Sequence, residues 1–350
     1  MTRLPPDIAA LREGVGLAHE TQLAIVRIDG PGAAALLAAV ATTPPPRRDG
    51  LATPALLLRP DATVLADVLV CADDGGFLLL AENIPAPALT DHLRTYAADT
   101  TTIRDLTTTH TVLSFHGPFA WEPVGWLVGP EVLGVPPMTS FRLDPLPGLG
   151  LRVSKTGEYG YALLVPQGDP ALAARLAELR DRYPVADVDL PALDLCGLEN
   201  GFYNARAPGL TGLTPVELQL QWRLRNPGEF VGHAALRAHQ AAPGRRITWF
   251  LGEPATPPPP VGTTLHLAGR AIGPVVHAAH SPVLGRPIGL ALLDRAWAHP
   301  HLPCTQDTGD LIMTTAPPLI NNRSMHVRPQ QHRLAARDQY TFPALTGSHP

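Results

Sequence analysis

Residues 154–161 read Ser154-Lys155-Thr156-Gly157-Glu158-Tyr159-Gly160-Tyr161. Two apolar runs flank them, Gly150-Leu151-Arg152-Val153 before and Ala162-Leu163-Leu164-Val165 after. Both runs have the length and composition of β-strands. One carboxylate, Glu158, therefore sits at a glycine-bracketed turn between strands. Glycine lets the backbone bend there and approach a ligand closely. A carboxylate so held can accept two parallel hydrogen bonds from a flat, amidine-like group. Taken alone, the stretch also reads as an ordinary hairpin with a solvated glutamate.

Upstream, residues 23–28 read as a strand, followed by Asp29-Gly30-Pro31-Gly32 and an Ala/Leu-rich helix to about residue 40. Residues 56–58, 63–70 and 76–81 read as a strand meander, with Asp73-Asp74-Gly75-Gly76 as a hairpin turn. The spacing of Ala88, Leu89, His92, Leu93 and Tyr96 predicts an amphipathic helix over 86–97. Residues 101–106 and 111–115 are expected strands, and 169–182 a helix. Residues 190–200 and 215–224 read as further helices or turns. From about 245 to 327 the chain becomes short strands between Gly/Pro turns, the pattern of a small barrel. The polar residues 331–350 read as a loose tail.

The 350 residues allow two or three domains with real cores. A net charge of −4 offers no nucleic-acid footprint and no basic membrane patch. The three cysteines, Cys71, Cys196 and Cys304, are far apart and odd in number, against a disulfide framework or a cysteine zinc site. The beginning of the chain lacks an apolar leader, and no stretch reaches the length of a membrane span. The expectation is a soluble cytoplasmic protein that acts on a small molecule, with no metal, nucleic-acid or membrane partner.

Thr156-Gly157-Glu158-Tyr159-Gly160-Tyr161 resembles the Tyr-Thr-Gly-Glu-x-Gly-Phe motif of the glycine-cleavage T-protein family, whose glutamate binds the pterin of tetrahydrofolate. Four more stretches resemble that family in the right order. They are Ile28-Asp29-Gly30-Pro31-Gly32-Ala33 with Leu36-Leu37, residues 61–70, residues 226–236, and residues 273–282 with Ile288-Gly289-Leu290-Ala291. The resemblance implies an α+β fold: a ring of two related, interleaved folate-binding domains over 1–235 and a C-terminal antiparallel β-barrel over 236–330. It implies a tetrahydrofolate cofactor, or a 5- or 5,10-substituted derivative, in a central channel of a monomer or homodimer.

By the same resemblance Glu158 holds the pterin, with Asn83, Tyr161, Trp222 and Arg245 as further cofactor-binding candidates. Trp222 stacks near the pterin or is a core tryptophan. Arg245 or Arg246 contacts the anionic folate tail, or the two are a solvated pair. The departures matter as much. The family's aminomethyltransferases carry a catalytic Asp four residues after an Asn; here Asn83 leads to Pro87. The nearest carboxylates are Glu82 and Asp91, and periodicity turns Asp91 toward the polar side of its helix. The family Tyr falls on Lys155, and the Arg of its Arg-x-Glu-x-Gly stretch falls on Gly197, with Glu199 and Gly201 kept. Glu82, Asp91, Lys155 and His277 are the catalytic candidates; His277 lines the channel or is a core histidine.

The resulting reading is a folate-dependent one-carbon transferase acting on a small amine or hydroxyl compound. The rival classes are a folate-binding accessory protein without turnover, and the same channel repurposed for a non-folate substrate. A dinucleotide site at residues 23–37 lacks the required acid about 20 residues on.

Overall fold

The computed structural model describes residues 3–203 and 206–346. Two sheets and a closed barrel make the frame. The five-stranded sheet is ordered Ala52–Leu58, Val64–Asp73, Gly76–Glu82, Ala24–Asp29 and Thr102–Asp105, antiparallel throughout. The meander and its turn are as the sequence predicts. Asp73 pairs with Gly76, and Asp74 and Gly75 take left-handed φ values of 48° and 69°, the geometry a two-residue hairpin favours.

The six-stranded sheet is ordered Val185–Asp187, Val15–His19, His110–His116, Gly160–Pro166, Leu149–Leu151 and Ser140–Arg142. Its first two strands are parallel and the rest antiparallel. The strand Val15–His19 precedes the whole five-stranded sheet in the chain yet pairs within the other sheet, so the two α+β domains interleave.

The sheets pack face to face. Leu23, Ile25, Leu78 and Leu80 of one meet Val112, Leu151, Ala162 and Leu164 of the other in one buried cluster. Helices cover the outer faces. Ala33–Val40 buries Ala33, Leu36, Leu37 and Val40 on the five-stranded sheet. Its neighbour Ala86–Tyr96 buries Ala86, Leu89, Thr90 and Leu93, a stripe shifted from the expected one, and Tyr96 stays 41 % exposed. Thr90 tolerates burial because its hydroxyl donates to the Pro87 carbonyl at 2.9 Å. Trp121–Val128 and Pro170–Arg182 cover the six-stranded sheet.

The barrel closes in the order Arg245–Gly252, Arg286–Asp294, Arg270–Ser281, Thr264–Leu267, Pro303–Thr305 and Leu311–Thr315. Residues 215–224, expected as helix or turn, take the turn: Gln219 has a left-handed φ of 53° and a short 3-10 turn, Gln221–Arg223, follows. One expectation is corrected: residues 331–346 do not hang free. After the barrel the chain runs back to the six-stranded sheet, where Val327 and Leu334 are buried and Tyr340 and Phe342 pack beside them. The Leu334 N–H donates to Glu122 at 2.7 Å. One apolar and two aromatic anchors in this polar segment, with Val327 just before it, suffice to seat it. Residues 347–350 of the expected tail lie outside the described residues.

Candidate functional site

A cavity of about 400 Å³ opens where the two sheets and the barrel meet. That volume is within the usual range for small-molecule sites. Most of its wall is apolar, from Leu69 and Leu80 of one sheet, Val112 and Ala162 of the other, and Leu218 and Leu220 of the irregular segment. Aromatic side chains complete the wall. Phe202 and Trp222 are about half exposed, whereas Trp249 of the first barrel strand is buried and donates to the Leu198 carbonyl at 3.2 Å. Tyr203 anchors the loop between them, its hydroxyl donating to the Leu218 carbonyl at 2.5 Å.

A chain of charges crosses this apolar wall. The Lys155 ammonium donates to Glu20 Oε2 at 2.6 Å and to Glu82 Oε1. Glu82 Oε2 accepts from Arg206 Nε at 3.4 Å, and Arg206 also binds both oxygens of Asp194 at 3.1 and 3.3 Å. Glu82 ends a strand of the five-stranded sheet, Glu20 follows a strand of the six-stranded one, and Asp194 rides the helix Leu190–Glu199. The charge chain therefore ties both domains together at the cavity. Nearby, Asp67 pairs with Arg223, whose guanidinium lies 4.7 Å from the Trp222 ring.

Burial alone would raise the Glu20 pKa, but Lys155 and His116 outweigh it and bring the carboxyl down to about 2. Burial opposes the charge on Lys155, and Glu20 and Glu82 more than compensate, so its pKa is raised. Beneath Glu20, burial lowers the His116 imidazole to about 4, with Lys155 acting the same way and Glu20 against it. His116 is therefore a neutral core histidine.

Of the candidates named from the sequence, Glu82, Lys155 and Trp222 come together on the cavity wall. The others do not line it. Asp91 is three-quarters exposed and pairs with Arg94 across one helical turn. Asn83 sits past the end of its strand, in a left-handed turn with φ 72°. Tyr161 is buried in the core of the six-stranded sheet, edge-on to Phe141. His277 lies in the barrel opposite Leu290, and burial lowers its pKa. Arg245 pairs with Glu217 at 3.1 Å on the outer side of the barrel's first strand.

Glu158, the candidate for holding the pterin, also stands off the cavity wall. Its carboxylate is fully buried, and both oxygens are taken by the returning C-terminal segment. Oε1 accepts from the Arg323 N–H at 2.9 Å; Oε2 accepts from the Ser324 N–H at 2.7 Å and the Ser324 hydroxyl at 2.5 Å. The fork-like recognition expected of this residue exists, but its two parallel donors are the chain's own backbone. Burial raises the Glu158 pKa against the pull of Arg12, which lies 3.8 Å away.

Arg12 was not foreseen. It enters from the first helix, Pro6–Glu13, is fully buried, and binds Glu199 at 2.6 Å, the Thr156 carbonyl at 2.7 Å and the Cys196 carbonyl at 2.9 Å. It thus brings a guanidinium to Glu199, two residues beyond Gly197, where the family places an arginine. Gly197 itself has no room, since a Cβ there would stand 2.3 Å from the Phe202 carbonyl oxygen. Glu20, Asp67, Asp194 and Arg206 are the other site residues missed. They converge from separate elements, and no local pattern joins them.

Two interleaved α+β domains and a closed barrel around one mixed apolar and ionic cavity define a small-molecule site at a domain junction. Comparison with known proteins gives the family. Residues 4–226 match the GCVT N-terminal domain and residues 245–309 the glycine cleavage T-protein C-terminal barrel domain. The chain belongs to the glycine-cleavage T-protein family. It is 28% identical to an aminomethyltransferase of Streptomyces coelicolor over 83% of this chain and 81% of that one. With an aminomethyltransferase of Frankia alni the identity is 30% over 83% and 80%. The crystal structure of the glycine cleavage system aminomethyltransferase T from Bartonella henselae superposes with a TM-score of 0.77. It covers 89% of this chain and 88% of that one at 23% identity, which shows a shared fold. Membership supports folate-linked one-carbon transfer of the family's general kind. Among the described residues no helix is long and apolar enough to cross a membrane, and no cluster of His, Cys, Asp and Glu could hold a metal ion.

Proposed function

We propose that the cavity binds tetrahydrofolate, or a 5- or 5,10-substituted derivative, and that the chain transfers a one-carbon group between it and a small amine or hydroxyl compound. The observation that carries this reading is the composition of the cavity wall. A pterin needs a flat apolar slot with donors and acceptors along one edge. Trp222 and Phe202 offer half-exposed rings, and the chain Glu20–Lys155–Glu82–Arg206–Asp194 offers the polar edge. Tetrahydrofolate, when bound, supplies the nitrogens that carry or accept the carbon.

The protein's own share is orientation and exclusion of water by the apolar wall. Glu82 and Lys155 are the groups on that wall, among the earlier candidates, that can hold or pass a proton. Asp91 is too far toward solvent to do so. Glu158 acts on this reading through the structure, by seating the C-terminal segment. On this reading residues 1–235 are the folate-binding part, and the barrel, whose strands run from Arg245–Gly252 to Leu311–Thr315, closes the cavity with Trp249, while residues 316–330 run back toward the six-stranded sheet. Calorimetric titration with tetrahydrofolate under anaerobic conditions tests the proposal, and a Trp222→Ala variant shows whether the ligand lies in this cavity.

A further inference from the structure

Lys155 is the only lysine in the chain; the other 26 of its 27 basic side chains are arginines. A chain that uses arginine everywhere else keeps one ammonium, and it stands on the cavity wall. The two cations differ in shape. A guanidinium presents its donors in one plane, whereas an ammonium is compact and tetrahedral with three N–H bonds. Lys155 uses one N–H on Glu20 Oε2 and one on Glu82 Oε1. Among the described residues no acceptor takes the third, and the side chain keeps 40% of its surface where it lines the cavity. An arginine could bridge the same two carboxylates, but it could not turn a further donor out of their plane.

Glu20 makes this arrangement rigid. It is 5% exposed, its own N–H donates to the Val112 carbonyl at 2.9 Å, and Gln22 donates to its Oε2 at 2.9 Å. The charged and titratable groups around the ammonium are Glu20, Glu82 with Arg206 and Asp194 behind it, and the neutral His116.

We propose that Glu20 is a positioning residue that fixes the Lys155 ammonium against Glu82, so that its third N–H donates into the cavity to an uncharged oxygen acceptor of the bound molecule. The acceptor is a lactam or amide carbonyl or a hydroxyl, since the two flanking carboxylates repel an anionic one. This deepens the proposed function by naming what holds the ligand's oxygen. The fixation of the ammonium does not depend on the ligand being a folate.

A single lysine gives a single side-chain ammonium resonance, so the full chain labelled with 15N-lysine tests the proposal directly. The wild type is expected to show one ammonium cross-peak persisting at pH 8, because held N–H bonds exchange slowly. Adding pterin, the bare uncharged lactam, shifts that peak, and benzoate does not. Glu20→Gln loses the persistent peak and the response, and Glu20→Asp restores both in part. Loss of the wild-type peak at pH 8, a peak unmoved by pterin, or a Glu20→Gln spectrum identical to wild type would each overturn the proposal. Should Glu20→Gln not fold, Lys155→Arg keeps the charge and decides. It is expected to bind pterin at least tenfold more weakly, and an unchanged affinity contradicts the role. Failure of tetrahydrofolate to bind in calorimetry is a separate result and bears on the proposed function.

Discussion

Asp67 and Glu82 stand directly opposite each other on adjacent antiparallel strands, two carboxylates on the cavity side of one sheet. Like charges so placed destabilise a sheet unless each has a partner. Each has one, from a different direction: Arg223 for Asp67, and Lys155 with Arg206 for Glu82. Arg223→Gln is expected to lower stability by about 1 kcal/mol, and Asp67→Asn in that background to restore most of it. Urea unfolding of the two single variants and the double variant measures this. A double variant no more stable than Arg223→Gln would show that the opposed carboxylates do not strain the sheet.

The Glu158 carboxylate takes three donors from residues 323 and 324 in a fully buried place. Glu158→Gln replaces one accepting oxygen with an NH₂ group facing those donors. A stability loss of about 2 to 3 kcal/mol is expected, typical of buried charged hydrogen bonds left unmade. Tetrahydrofolate affinity is expected to change less than about threefold, because Glu158 lies off the cavity. Thermal melting and calorimetry on the same variant separate the two. A large affinity loss with unchanged melting would return Glu158 to the binding site.

Acid stability carries the mark of the site. The folded-state pKa of His116 is depressed from 6.5 to about 4, so between those values the unfolded chain binds a proton that the folded chain does not. Stability should therefore fall as pH drops from 6.5 toward 4. Glu20, depressed from 4.5 to about 2, extends the loss below pH 4.5. His116→Leu is expected to flatten the upper part of the curve and to reduce the lower part without abolishing it, since Lys155 still holds Glu20 down. Melting temperature against pH for both proteins checks it; parallel curves between pH 6.5 and 4 would refute the assignment to His116.

Trp222 is half exposed on the cavity wall and contributes little core. Trp222→Ala is expected to change stability by less than about 1 kcal/mol. It should weaken tetrahydrofolate binding by about 1 to 3 kcal/mol, the range for stacking a flat heterocycle on an aromatic side chain. Equal affinity for both proteins would place the ligand elsewhere.

What the sequence revealed was local. The Asp73–Gly76 turn, the meander around it and the barrel's strand-and-turn rhythm follow from residue type and period, and the structure has them. Asp91 could be placed outward from helix spacing alone. What could not be read depends on contacts between distant parts. Nothing near Glu158 indicates that Arg323 and Ser324 return to it, and the polar look of residues 331–346 hides the anchors Leu334, Tyr340 and Phe342. Arg12 reaches Glu199 across 187 positions. The resemblance located Lys155 and Glu82, but their bond to each other and to Glu20 is a product of the two sheets closing.

On the proposed function, tetrahydrofolate binds in the cavity between the two sheets and the barrel. Anaerobic calorimetry with the wild type and with Leu69→Trp, which fills the cavity from its wall, decides it. The wild type is expected to bind one equivalent per chain, and Leu69→Trp to bind at least tenfold more weakly with the fold intact. No heat of binding in the wild type, or equal affinity in both proteins, would contradict it.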